Sequence, residues 1–303
     1  MRPTLYYGDH HPIPLPPGHK FPIAKYALLR QALSAEGICD LQPAPLADPA
    51  DIELAHDPAY VRAFLSGSLD RGAMRRIGFP WSKELVRRTL SSAGGTLAAA
   101  TDALANGFGG NLAGGTHHAF RSEGSGFCVF NDIAIAVRKT GRPAAVIDLD
   151  VHQGDGTAAI FEHDPSVLTV SLHGENNFPF RKQRSKIDVG FPDNTGDEPY
   201  LDRLGEVLPL VVRFRPKIVF YQSGVDSLSG DRLGRLNLTF EGLHHRDQMV
   251  FEMCRLHGFP VVVTLGGGYS DPISRTVEAH ANTYRFALGL FNRNATFGLG
   301  KSS

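Results

Sequence analysis

A chain of 303 residues with 42% hydrophobic composition is long enough to bury a sizeable core, as one large α/β domain or two small ones. Lysine plus arginine equals aspartate plus glutamate at 31 each, so no net field recruits nucleic acid or an anionic membrane. The three cysteines, Cys39, Cys128 and Cys254, are odd in number and far apart, which argues against a disulfide framework and a cysteine-based zinc site and implies a reducing compartment.

The amino-terminal Met1-Arg-Pro-Thr-Leu-Tyr-Tyr-Gly8 has no apolar signal-like stretch, and no run of about 18 apolar residues follows it. A cytoplasmic protein that does not span a membrane is expected. In chain order, the apolar spacing predicts helices over 24–35 and 82–104, a strand at 111–114, a helix at 131–139 and strands at 144–149 and 167–172. A helix at 200–214, a strand at 217–222, a helix at 239–257, a strand at 260–265 and a helix at 272–290 complete the pattern. Such alternation implies an α/β fold, with a mostly parallel central sheet and helices on both faces. Residues 176–198, with the basic Arg181-Lys-Gln-Arg184, read as a long loop. No repeat or linker divides the chain, so one domain over 1–303 is expected.

Open α/β sheets bind ligands beyond the C-terminal ends of their strands, and the chemically unusual residues fall there repeatedly. They are Thr116-His117-His118, Asp148-Leu-Asp150-Val-His152-Gln-Gly-Asp155, Ser171-Leu-His173, Asp226 and Gly266-Gly-Gly-Tyr269. Asp148, Asp150 and His152 are two residues apart, so an extended chain would put them on one face. Buried carboxylates there would cost several kcal/mol per ion without a cation or dense hydrogen bonding. Asp150, His152 and Asp226 supply two oxygens and one nitrogen and leave coordination positions open, which is the catalytic arrangement. A metal lowers the pKa of its water toward ~7 and polarises a carbonyl, which suits amide or ester hydrolysis. His117 and His118 then serve as base and acid, Asp148 and Asp155 can orient them, and Tyr269 can donate to an oxyanion. Plainer readings compete: a solvated or core histidine pair, an Asp226 helix cap, a simple glycine turn at Gly266 to Gly268 and a core Phe127. His10, His11, His163, His244, His245 and His257 read as surface or structural.

Together these residues resemble the zinc-dependent histone deacetylase superfamily on the arginase-like α/β fold. The matching motifs are Gly114-Gly-Thr-His-His118, Gly126-Phe-Cys-Val-Phe-Asn-Asp132, Asp148-Leu-Asp-Val-His-Gln-Gly-Asp-Gly156, Thr169-Val-Ser-Leu-His173, Gly224-Val-Asp226 and Leu265-Gly-Gly-Gly-Tyr269. They stand in the family's order and, with His56-Asp-Pro-Ala-Tyr-Val61, cover most of the chain. Gln153, where many members have a second histidine, and the compact length resemble the class IV branch and its bacterial relatives.

The resemblance implies zinc at Asp150, His152 and Asp226, with His118 as the general base and His117 helping to protonate the leaving amine. It pairs Asp148 with His117 and Asp155 with His118, and makes Tyr269 the carbonyl-polarising donor. It also implies a structural potassium ion held by the side chains of Asp148 and Ser171 and by carbonyls at Asp150, His152 and Leu172. Gly126, Phe127, Phe178 and Leu233 would line an acyl-lysine tunnel, overriding the core reading of Phe127. Two departures bear on substrate. The segment around Ile77-Gly-Phe-Pro-Trp-Ser82 has no acidic residue to hold a peptide backbone. Leu233 stands where polyamine-specific relatives carry a glutamate. The implied activity is hydrolysis of acetyl or longer acyl groups from lysine in a protein or peptide, or from a small acylated amine. Alternatives are an acetylpolyamine or small-amide hydrolase, a two-manganese ureohydrolase, and a non-catalytic acyl-lysine binder.

Overall fold

The computed structural model describes residues 2–141 and 143–292. Among them, parallel strands form one sheet: β1 (Thr4–Tyr7), β2 (Asp40–Pro43), β3 (Phe108–Asn111), β4 (Ala144–Asp148), β5 (Val167–Gly174), β6 (Ile187–Phe191), β7 (Ile218–Gln222) and β8 (Val261–Thr264). Their spatial order is β2-β1-β3-β8-β7-β4-β5-β6. The central β4, β7 and β8 are runs of Ala, Val, Ile, Phe and Tyr that end in Asp148, Gln222 and Thr264 and are buried along their length, as parallel strands covered on two faces must be.

The helices are α1 (Ala24–Glu36), α2 (Pro49–Ile52), α3 (Pro58–Ser66), α4 (Arg71–Ile77), α5 (Lys83–Asn106), α6 (Asp132–Thr140), α7 (Asp155–Phe161), α8 (Asp197–Phe214), α9 (Phe240–His257) and α10 (Ile273–Phe291). Strand alternation divides the core. Ala145, Ile147, Val219 and Tyr221 cluster with Leu29, Leu204, Phe251 and Leu288 of α1, α8, α9 and α10. Ala144, Val146, Ile218 and Phe220 cluster instead with Phe64, Ala99 and Ile133 of α3, α5 and α6. The expected α/β architecture, helices on both faces of a parallel sheet, is the one observed. No described helix is long and apolar enough to cross a membrane.

Most predicted elements lie where expected, with ends shifted by at most three residues. Ser82, Asn131 and Thr239, read as first helical residues, are the caps just outside, each accepting a backbone N–H. The strand expected at 111–114 is instead β3, because Gly114 and Gly115 have φ of 77° and 74° and the chain has already left the sheet. Residues 176–198 are not a continuous loop, since β6 pairs with the outer side of β5. Two further strands, β1 and β2, were not foreseen. At four residues each they are too short to show a period.

Connections from β4 lead to β5 and β6 on one side, while β7 and β8 lie on the other. The β4–β7 boundary is therefore the topological switch point, where a crevice opens beyond the strand ends.

Candidate active site

Beyond β4 the chain does not stay extended. Asp150 N donates to Asp148 Oδ1 at 3.2 Å and His152 N to Asp150 Oδ1 at 3.0 Å, two successive aspartate turns. The expectation of three residues on one strand face is thus corrected: Asp148 closes β4, and Asp150 and His152 lie on the turns after it. Those turns bring Asp150 and His152 to Asp226, and ligand atoms of the three lie within 4.8 Å of one another, all buried. The His152 Nδ1 is 3.0 Å from both Asp150 Oδ1 and Asp226 Oδ2. Asp226 caps no helix, because turns separate it from α9, whose cap is Thr239. Its Oδ1 accepts from Val151 N at 2.9 Å, tying the two strand ends together.

Burial and the adjacent Asp150 push the Asp226 carboxyl up to about 7. Burial alone would lower His152, yet Asp226 and Asp150 raise it to about 10. Two buried carboxylates that draw a proton onto their neighbour form a cluster short of positive charge, and the oxygen, oxygen, nitrogen donor set suits zinc. A Cβ at Gly267 would collide with the Asp226 carboxylate, so glycine lets this turn close over the cluster. Gly267 N donates to Asp150 Oδ2 at 2.7 Å.

The two adjacent histidines have separate partners. His117 Nδ1 is 2.7 Å from Asp148 Oδ2, and His118 Nδ1 is 2.6 Å from Asp155 Oδ1. Their rings are 4.1 Å apart and their proton affinities diverge. Burial opposes charge on His117, but Asp148 and Asp150 outweigh it and raise it to about 9. Burial and the neighbouring His117 push His118 down to about 4. Paired titratable groups driven apart in this way are the mark of separate acid and base roles. The loop carrying them is fastened by Asp132, which accepts from Gly115 N at 3.1 Å and Thr116 N at 2.8 Å.

Tyr269 borders the same cleft, its ring 6.4 Å from that of His152. Burial, with Asp226 and Asp150 nearby, holds its hydroxyl well above the ordinary range, so it stays protonated as a donor. The cleft encloses about 800 Å³, with His118, His152, Tyr269, Phe127, Phe178 and Leu233 among its lining residues. Phe127 is therefore cleft wall, and it also packs on Phe21, Phe79 and His19 at the edge of one core cluster. Gly126 has φ of 54°, and a Cβ there would lie 2.7 Å from His118 Cδ2. Gly126→Ala should consequently displace the histidine and lower kcat/KM by about 10²-fold. The unfolding midpoint should fall only by a few degrees, and a thermal melt beside a rate assay separates the two effects.

Several contributors escaped the sequence reading. Gln222 Nε2 donates to Asp150 Oδ2 at 2.9 Å, and Gln222 Oε1 accepts from Gly224 N at 2.8 Å. Asp231 accepts from Tyr269 N, fixing the tyrosine's turn, at 2.6 Å. Arg246, fully buried on α9, donates to Gly224 O at 2.7 Å and pairs with Asp247 at 2.8 Å. Lys25 Nζ donates to Gly266 O at 2.9 Å. Gln153 has a structural explanation: its amide donates to Gln183 O and Asp188 Oδ1, both at 2.8 Å, and accepts from Gln183 N. It ties the β6 approach to the turn that carries Asp150 and His152.

The fold is that of an α/β protein with a buried Asp/His cluster beyond its strand ends, and residues 19–284 match the histone deacetylase domain family. The chain belongs to that family. It is 44% identical to an uncharacterized protein of Picosynechococcus sp., across 95% of this chain and 99% of the other. It is 32% identical to Histone deacetylase 6 of Arabidopsis thaliana, across 88% of this chain and 62% of that protein. With Histone deacetylase RPD3 of Saccharomyces cerevisiae it shares 36% identity, across 60% of this chain and 43% of that protein. The chain spans about half the length of the curated deacetylases it matches. The HD domain of HDA15 superposes with a TM-score of 0.79 at 23% identity, covering 95% of this chain and 88% of the other, a likeness of fold.

Proposed function

We infer that the chain is a zinc-dependent hydrolase of acyl-lysine amides, acting on acetyl or longer acyl groups, with 1–303 as one catalytic domain. The observation that carries this reading is the pair of histidines, each on its own carboxylate and oppositely shifted, beside the Asp150, His152 and Asp226 cluster. Zinc, when held by those three residues, supplies Lewis acidity that activates a water near neutral pH and polarises the acyl carbonyl.

The chain's own residues perform the rest. Phe127 and Phe178 wall an apolar passage that suits the methylene stem of lysine, with Gly126 and Leu233 beside them. His118, neutral and fixed through Nδ1 by Asp155, accepts the water proton at Nε2. Tyr269 donates its hydroxyl proton in a hydrogen bond to the carbonyl oxygen as negative charge develops. His117, fixed by Asp148, holds a proton at Nε2 for the departing amine. The water oxygen bonds to the carbonyl carbon, the C–N bond breaks as His117 protonates the nitrogen, and the acyl group leaves as carboxylate. The two water protons end on the amine and, by way of His118 and solvent, back on His117.

The resemblance also implies potassium at the side chains of Asp148 and Ser171 and the carbonyls of Asp150, His152 and Leu172. Register sets Asp148 beside Ser171, but Asp148 binds His117 and Ser171 Oγ lies 3.0 Å from His173 Nδ1, and such an ion would have no catalytic part. The test is acid release from acyl-lysine peptides, with metal content measured on the same sample because Fe(II) and Co(II) also suit the donor set. Chelation should abolish turnover and zinc restore it. Tyr269→Phe should lose roughly 10²- to 10³-fold in kcat, and a full rate in that variant would sink the reading.

A further inference from the structure

The cleft has a charged mouth that the reaction does not use. Arg75 and Arg76 line it from the last turn of α4, and Arg232 and Arg235 from the loop after Asp231. All four are exposed, whereas His118 and His152 at its floor are buried. Among the described residues, no aspartate or glutamate lines this mouth. The chain as a whole carries 31 basic and 31 acidic residues, so this concentration is local and does not follow from composition. Arg76 pairs with Glu123 at 3.2 Å and Arg235 with Asp193 at 3.1 Å, while Arg75 and Arg232 make no ion pair among the described residues. Two basic residues ending a helix are ordinary complements to its dipole, but Arg232 and Arg235 stand on a loop with no helix end to answer.

We propose that this cationic mouth selects polypeptide substrates with acidic residues flanking the acylated lysine. The inference rests on the deacylase reading and adds the class of carrier. The guanidinium groups sit at the exposed rim, so they meet the part of the substrate that stays outside: the backbone and neighbours of the lysine. Arginines drawn from two separate segments fit several carboxylates spread along a chain better than one small anion. Phe180, 85% exposed on the same rim, offers apolar surface to the peptide between those charges. A mouth whose Arg75 and Arg232 carry uncompensated positive charge also raises the local concentration of oppositely charged substrate and repels a cationic polyamine.

The experiment compares three acetyl-lysine peptides of equal length, flanked by Asp and Glu, by Ala and Ser, or by Lys and Arg. Values of kcat and KM are measured at low and high salt. An engaged exposed ion pair gives up to about fivefold, so the acidic peptide should exceed the basic one by at least about tenfold in kcat/KM, through KM. Salt should narrow the gap. Arg75→Glu with Arg232→Glu should reverse the order and Arg75→Lys with Arg232→Lys should keep it, with circular dichroism confirming the fold of both. Equal kcat/KM for the three peptides, a basic preference, or an unchanged ratio in the charge-reversed variant overturns the proposal and leaves the deacylase reading standing. A monoacetylated diamine turned over as well as the acidic peptide also overturns it. Failure to turn over any of the peptides overturns both.

Discussion

His118→Ala should lower kcat on an acetyl-lysine peptide by roughly 10²- to 10⁴-fold while metal content stays at its wild-type level. The imidazole is held through Nδ1 by Asp155 and touches none of the three metal-cluster residues by hydrogen bond, so its removal spares the cluster. The same residue sets the expected pH dependence. Burial and the neighbouring His117 hold His118 down at about 4, and a bound cation would push it in the same direction. A base works only when deprotonated, so a lowered pKa keeps it active further into acid. The kcat/KM of the metal-loaded enzyme should stay within twofold between pH 7.5 and 6.0, with metal content checked at each point. An ordinary histidine would lose half its activity near 6.5. An acid inflection at or above that value, with metal retained, contradicts the assignment.

The second large effect lies away from the cleft. Arg246 has no exposed surface, and its guanidinium donates to the carbonyls of Leu149, Ser223 and Gly224 and to the Asp247 carboxylate. Arg246→Met leaves Asp247 buried without its cation and those carbonyls without a donor. Urea unfolding should register a loss of roughly 3–5 kcal/mol. Arg246→Met with Asp247→Leu should recover much of it, since no uncompensated charge then remains. A single-variant loss under about 1 kcal/mol would show that water takes the place of the arginine. Because Leu149 and Gly224 flank Asp150 and Asp226, the single variant should also hold zinc more weakly, which a chelator competition measures.

What could be read from sequence follows from range. The runs of β4, β7 and β8 declare themselves because they are apolar almost throughout and fully buried, and Asp150, His152 and Asp226 stood out as polar residues at the ends of apolar strands. The β3 segment Phe108–Asn111 hides because its two glycines carry no side chain to form a pattern; Gly109 lies where α5 crosses, and a Cβ there would strike the Ala99 carbonyl. β6 hides because it is an edge strand, only partly buried, whose Asp188 and Gly190 interrupt the apolar run. Gln222, Asp231 and Lys25 act through partners up to 241 residues away, which no local spacing reveals. Arg246 left a trace: with Asp247 it falls in the buried stripe of Leu243, Val250 and Cys254, where a charged pair needs a reason.

Phe127 limits how this site can change. It takes a left-handed backbone angle, φ 67°, while its ring serves the cleft on one side and rests against Phe21 and Phe79 on the other. A smaller residue there would widen the passage and open a void in the packing at once, so the two consequences are inherited together. Phe178 and Leu233, which line the cleft from other loops, lie outside that aromatic group. Diversification of chain-length preference among relatives of this protein should therefore be written at 178 and 233, with 127 left almost invariant.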